Sequence, residues 1–251
     1  WYYLSKLAYL GLDGLIVNND SRMSEIKKIH KHIKNFYYLP NFVNPREFPF
    51  QKKNYDKNSQ IRFLVPARIC EQKNQLFLVQ IATKLRDFGF DFIFILVGEP
   101  KSDYYEKLFK EIHLNALENH FRYEGIANNI SNYYKNSDFT VLPSRYEGFP
   151  NVILESLSSG RICIASKIPE NEDLISKTSG VLIDLEDVNQ SVMEIVKIID
   201  ISPKKYNEII QFAMVGLSTY FIENFNHFIK PIVEDLNQLT ERTNQNLNGW
   251  N

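Results

Sequence analysis

With 251 residues, 44% of them hydrophobic and 24% charged, the chain has the composition of an ordinary folded protein, which excludes a disordered chain and a fibrous repeat. Its 29 Lys and Arg against 30 Asp and Glu leave a formal net charge of -1, so the balance gives no support to nucleic acid or another polyanion as partner. The two cysteines, Cys70 and Cys163, lie far apart without metal-ligand or disulfide-framework spacing. Each falls in or beside an apolar run and reads as a buried, reduced thiol of a cytosolic protein.

No apolar run approaches the ~18 residues of a membrane span, and residues 1–6 lack the basic start and cleavage pattern of a signal peptide. The chain opens on Trp1 instead of methionine and is expected to be a piece of something longer. Residues 13–19 form a strand candidate. Residues 21–34 follow as a helix, with Ile26, Ile29 and Ile33 at helical spacing between Lys27, Lys28, Lys31 and Lys34. Residues 36–39 are strand-like again. One βαβ unit cannot cover both faces of a sheet, so residues 1–42 read as the tail of a domain. The basic face of the helix has two readings: a solvated surface, or a contact with an anionic membrane surface or lipid-linked acceptor. Residues 43–60, with Pro45, Pro49 and several Asn and Lys, have the composition of a linker.

From there the alternation is regular. Strands are expected at 61–68, 92–98, 120–125, 139–144, 161–166 and 180–185. Helices are expected at 75–88, 102–118, 130–135 and from about Pro150 onward. In the first of these, Leu78, Ile81, Ala82 and Leu85 share one face and Gly89 closes it. Near-continuously apolar strands alternating with helices imply a doubly wound parallel α/β domain over residues 61–220. Beyond Asp187 the pattern is helical, at 188–199, 203–217 and 221–239, with residues 240–251 expected to fray.

In such a sheet, ligands bind beyond the carboxyl ends of the strands. Those ends carry Arg68 and Lys73 after the first strand, Gly98-Glu99 after the second, Gly125-Ile126 after the third, and residues 144–151 after the fourth. Pro150 suits the first position of a helix, where its missing amide hydrogen costs nothing. The amides of Asn151 and Val152, at the positive end of the helix dipole, would then face the crevice as a phosphate site. Glu147 precedes this helix, and Glu155 lies about 7 Å along its axis at ~1.5 Å per residue. Carboxylates repel phosphate but accept hydrogen bonds from sugar hydroxyls, while Arg68 and Lys73 supply cations for a diphosphate. A nucleotide sugar carries both kinds of group. His30, His32, His113, His120 and His227 form no ligand cluster, so no metal is expected.

The stretch from Glu147 to Glu155 resembles the E-x7-E motif of the retaining glycosyltransferases of family 4, also called group 1. These enzymes have the GT-B fold of two facing Rossmann-like domains. Residues 68–73 resemble that family's R-x4-K element, residues 39–44 its interdomain hinge, and the long C-terminal helix, which with its tail spans 221–251, the helix that crosses back to the first domain. The resemblance implies a donor-binding domain for a nucleoside-diphosphate sugar, with no separate cofactor. Arg68 and Lys73 would clamp the diphosphate, Glu155 would hold the ribose and Glu147 the transferred sugar. Gly148 and Phe149 would give backbone amides near sugar and phosphate, and the turn at Gly125 and Ile126 would lie near the base. Loss of Arg68 or Lys73 is expected to weaken donor binding and to affect folding little.

The sequence departs from the family at Ala67 and Asn74, where glycines flank the clamp, at Phe42 in the hinge, and at Ile162, where a proline is usual. The resemblance also implies a first domain, absent from this chain, that supplies a glycine-rich loop, a histidine and the acceptor site. Transfer by this chain alone is therefore expected to be weak or nil. The function implied is retaining transfer of a sugar to a hydroxyl of a growing glycan or lipid-linked glycan, in the cytoplasm or at the inner face of its membrane. A non-catalytic or split donor-binding module and a nucleotide-sugar epimerase are the alternatives.

Overall fold

The computed structural model describes residues 12–248; residues 1–6, considered above, lie outside the described residues, as do 249–251. Two compact units are formed, Trp1–Phe42 with Tyr220–Asn251, and Val43–Thr219.

In the smaller unit, β1 (Gly14–Val17), α1 (Asp20–Ile29) and β2 (Asn35–Tyr38) make a βαβ unit with the strands parallel, Gly14 opposite Asn35 and Val17 opposite Tyr38. The helix expected over 21–34 stops at Ile29, because His30 leaves helical geometry at φ -110° and ψ 56°. Ile33 is buried all the same, from the turn beyond the helix, whereas Ile29 is exposed. Histidine and β-branched residues propagate a helix weakly, and burying Ile33 in the return toward β2 outweighs another turn. The C-terminal helix, Phe225–Asn248, belongs to this unit and follows two short 3-10 turns, Ser218–Tyr220 and Ile222–Asn224. It starts later than expected and continues through most of the stretch expected to fray. Phe42 meets Phe225 and Phe228 edge to face at 5.6 and 5.5 Å, and the Tyr37 hydroxyl donates to Asp235.

The larger unit runs β3 (Ile61–Pro66), α2 (Leu76–Asp87), β4 (Phe92–Val97), α3 (Ser102–Leu114), β5 (Phe121–Tyr123), α4 (Ser131–Lys135), β6 (Phe139–Leu142), α5 (Asn151–Ser158), β7 (Ile162–Ser166), α6 (Pro169–Lys177), β8 (Val181–Ile183), α7 (Val188–Ile199) and α8 (Pro203–Leu217). Its six strands are all parallel, in the order β5-β4-β3-β6-β7-β8. The four central strands, β4, β3, β6 and β7, are largely buried because helices cover both faces, whereas Arg122 in the edge strand β5 is exposed. Phe63 stacks on Phe94 at 5.0 Å and on Phe139 at 5.7 Å in the middle of the sheet, each ring at most 1% exposed. Each such ring stabilises the fold by about 1.5–3 kcal/mol.

Two helices differ from the sequence reading. The one expected over 102–118 ends at Leu114, since Ala116 adopts a left-handed φ of 52° that turns Leu117 into the core. Helix α6 lies where no helix is expected, although Pro169 in its first turn, Glu170 and Glu172 beside it, and Lys177 in its last turn are helix signals.

The segment expected to be a linker, residues 43–60, forms no helix or extended strand and lies with the larger unit. It is held by side chains. Ser158 Oγ donates to the Phe48 carbonyl at 2.7 Å, Lys53 pairs with Asp138 at 2.7 Å, and the buried Tyr55 hydroxyl donates to the Ile199 carbonyl at 2.5 Å. No helix among the described residues is long and apolar enough to cross a membrane.

Candidate functional site

The sheet order places a topological switch point between β3 and β6: the chain leaves β3 toward β4 on one side and β6 toward β7 on the other. The loops beyond the carboxyl ends of these two strands flank the usual ligand position in open α/β sheets. They are the loops that hold Arg68, Lys73 and Glu147.

Backbone and side chains join the two loops. The Arg145 amide donates to the Gln72 carbonyl at 2.9 Å, and Gln72 Nε2 donates to the Tyr146 carbonyl at 3.0 Å. Between them, Lys73 Nζ lies 2.6 Å from Glu147 Oε1, with the two side chains 15% and 7% exposed. A largely desolvated ammonium and carboxylate at that distance form a charge-assisted hydrogen bond. Deleting one partner would leave the other as a buried charge. On that argument, loss of Lys73 is expected to lower stability as well as donor binding.

The clamp loop is shaped locally. Asn74 stands where a glycine is usual, and its φ of 54° shows why: the position needs left-handed backbone, which Asn tolerates better than other side chains. Its amide donates to the Cys70 carbonyl at 3.1 Å. Beneath Ala67, a Cβ at Gly98 would fall 2.2 Å from the Ala67 carbonyl oxygen, so only glycine allows β4 to end against this loop. Gln75, fully buried, donates to the Arg68 carbonyl at 2.8 Å, while the Arg68 side chain is exposed. Cys70, expected to be buried, is partly exposed because it lies in this loop beyond the strand; Cys163, inside β7, is fully buried and its thiol is pushed well up by burial.

Pro150, expected as the first helical residue, is instead the cap at φ -83° and ψ 73°, and α5 starts at Asn151. The Asn151 amide donates back to the Phe149 carbonyl at 3.0 Å, so it is not among the groups turned into the crevice. Gly148 is exposed and Phe149 half-buried at the same loop. At the end of β5, Gly125 has a left-handed φ of 73° and accepts from the Gly98 amide at 2.8 Å, leaving Ile126 71% exposed beyond it.

Glu155, one turn into α5, receives the Tyr134 hydroxyl on Oε2 at 2.8 Å. Burial raises its carboxyl above the ordinary range; the Tyr134 hydrogen bond works against that, and the charge of Glu47 adds to it. Tyr134 is fully buried, with its ring edge on Phe48 at 5.7 Å.

Beneath Tyr134, the guanidinium of Arg161 is 2% exposed and spread over five backbone carbonyls, those of Gln51, Tyr134, Lys135, Ser159 and Gly160, at 2.8 to 3.1 Å. These carbonyls lie at the C-terminal ends of α4 and α5 and in the segment 43–60, where a cation offsets the negative helix ends. The sequence reading missed Gln72, Tyr134 and Arg161. A buried tyrosine reads as packing, and an arginine opening a strand carries no motif.

Residues 60–200, more than half of the chain, match the family described as Glycosyl transferases group 1. Over 197 residues the chain is 28% identical to the UDP-Gal:alpha-D-GlcNAc-diphosphoundecaprenol alpha-1,3-galactosyltransferase of Escherichia coli, covering 74% of this chain and 51% of that protein. It is 29% identical to the capsular polysaccharide biosynthesis glycosyltransferase CapH of Staphylococcus aureus, over 61% of this chain and 40% of that one. The chain thus spans about half the length, or less, of these curated relatives. Among solved structures, Anabaena HepE in complex with UDP and glucose superposes with a TM-score of 0.78 over 94% of this chain and 66% of its own, at 18% identity. Sucrose-phosphate synthase from Thermosynechococcus elongatus does so at 0.80, over 96% and 62%, also at 18% identity. Likeness at that identity establishes a shared fold, the parallel α/β architecture of GT-B proteins. With the family match over the whole of the six-stranded sheet, the chain belongs to the group 1 glycosyl transferases.

Proposed function

We propose that this chain holds the nucleotide-sugar donor in a retaining transferase of family 4, which moves a sugar from a uridine-diphosphate donor to a hydroxyl of a growing glycan or lipid-linked glycan. The observation that carries this reading is the Lys73–Glu147 pair at the switch point. A cation and a carboxylate that neutralise each other without donor have separate partners in a donor molecule, the diphosphate for Lys73 and a sugar hydroxyl for Glu147. The uridine base is taken from the E. coli relative, whose name specifies UDP-Gal, and from HepE, crystallised with UDP. The exposed Ile126 offers the base an apolar surface.

In this mechanism Arg68 and Lys73 stabilise the negative charge that develops on the departing diphosphate. Glu155 accepts from the ribose hydroxyls and Glu147 orients the sugar without attacking it. A phosphate oxygen of the donor takes the acceptor proton on the face from which the diphosphate departs. That same-face course keeps the anomeric configuration.

A diphospholipid-linked glycan as acceptor is favoured by the diphosphoundecaprenol acceptor in the name of the E. coli relative and by the exposed Lys27 and Lys28 of α1. Such an acceptor would bring the protein to the inner face of the membrane. The test is transfer by the intact protein from an α-linked UDP-hexose to a polyprenyl-diphosphate sugar, with the anomeric configuration of the product read by NMR. An α-linked product is expected; a β-linked product would overturn retention, and free epimerised donor without product would favour an epimerase.

A further inference from the structure

Glu155 lies in the middle of a short helix, α5, and its side chain has no salt-bridge partner among the described ion pairs. What fixes it is a single neutral donor. The Tyr134 hydroxyl reaches Oε2 at 2.8 Å from a side chain that is itself fully buried. Tyr134 cannot swing away. Its ring is wedged edge-on against Phe48, and its backbone carbonyl is gripped at 2.9 Å by Arg161, whose other donors tie down Gln51 and both helix ends. The acceptor capacity of a carboxylate exceeds one hydrogen bond, so Oε1 stays open for a ligand hydroxyl while Oε2 is pinned.

We infer that Tyr134 is a positioning residue for nucleotide binding, its buried hydroxyl holding the Glu155 carboxylate in the orientation that a ribose diol requires. This rests on the proposed role of Glu155 as the ribose ligand. Two groups oppose each other across that carboxylate: Tyr134 from α4 favours its ionised form, and Glu47 from the segment 43–60 disfavours it, together with burial. Cys163 lies near the Tyr134 side, where the neutral thiol of β7 adds no charge. Removing the hydroxyl takes away the one contribution that favours the ionised carboxylate. Its loss therefore costs more as the pH falls, because the carboxyl then protonates at a higher pH than in the parent.

The experiment is calorimetric titration of UDP into the parent, Tyr134→Phe, Glu155→Gln and the double variant from pH 5 to 8, with thermal midpoints recorded to confirm folding. Tyr134→Phe keeps the ring that fills the core. It is expected to bind UDP about tenfold more weakly at neutral pH, the scale of one hydrogen bond. The deficit should widen toward pH 5, and adding Tyr134→Phe to Glu155→Gln should change little, because the two act through one contact. Parent-like affinity in Tyr134→Phe beside a weakened Glu155→Gln would overturn the inference. So would a deficit that does not vary with pH, or one that adds in full to Glu155→Gln. Parent-like affinity in Glu155→Gln would instead remove the ribose assignment, and the role of Tyr134 with it.

Discussion

Lys73 Nζ sits 2.6 Å from Glu147 Oε1, and this contact bridges the two loops that part at the switch point of the sheet. The pair joins both loops, and under the proposed function each partner exchanges the other for a group of the donor. Lys73→Ala is therefore expected to lower stability by roughly 1–3 kcal/mol, the cost of leaving a buried acceptor unsatisfied, besides weakening UDP. Adding Glu147→Gln should recover much of the stability and none of the affinity. Urea denaturation of the two variants measures this, and a Lys73→Ala protein as stable as the parent would show that the pair contributes nothing to folding.

Arg68 behaves differently because its side chain is exposed. Arg68→Ala should leave stability within about 0.5 kcal/mol of the parent, as ordinary surface substitutions do. It should weaken UDP by about 1.5–3 kcal/mol, the scale of a hydrogen bond to a charged group. Calorimetry with UDP against uridine separates the diphosphate contribution; equal losses for both ligands would move Arg68 away from the diphosphate.

Glu155 links function to stability with opposite signs. Its carboxyl is raised by burial, so the folded state holds this proton more tightly than the unfolded state does. Stability contributed at this position falls as pH rises from the ordinary carboxyl range through the raised one. Glu155→Gln removes a charge held against its preference, and at pH 7 it should unfold at a higher temperature than the parent, the difference shrinking toward pH 4. A lower midpoint at pH 7 would contradict this, since the side-chain carbonyl introduced by the substitution can still accept from Tyr134.

Asn74 tests the shape of the clamp loop. Asn74→Gly should be tolerated within a few tenths of a kcal/mol, because glycine adopts left-handed backbone freely. Asn74→Val should cost at least about 1–2 kcal/mol, the left-handed penalty of an ordinary side chain. Urea midpoints compare the two, and equal stability would mean that the loop relaxes out of its φ of 54°.

Much of this was legible in the sequence where a local chemical signal coincides with an element. Helices α7 and α8 begin where expected because Asp187 accepts from the Gln190 amide at 2.9 Å and Ser202, followed by Pro203, accepts from the Lys205 amide at 3.1 Å. Boundaries set by tertiary packing were not legible: nothing in the composition around Ala116 marks a left-handed residue, and Ile33 keeps a helical spacing while lying outside the helix. At the site, residue types and strand-end positions pointed to Arg68, Lys73, Glu147 and Glu155. The sequence could not show that two of these residues pair with each other. That depends on β3 and β6 being neighbours, although residues 67–138 separate them in the chain. Tyr134 was out of reach for the same reason, since its role appears only with the acceptor of its hydroxyl.

In the proposed site two carboxylates divide the labour, Glu155 on the ribose and Glu147 on the transferred sugar. This division is tested most directly by titrating UDP and an intact UDP-hexose into the parent, Glu147→Gln and Glu155→Gln. Glu155→Gln should weaken both ligands alike, because both carry ribose. Glu147→Gln should leave UDP close to the parent and weaken the UDP-hexose by about 1–3 kcal/mol, the scale of a hydrogen bond to a charged acceptor. Equal losses of UDP and UDP-hexose in Glu147→Gln would contradict the account, placing that carboxylate at the nucleotide instead of the sugar.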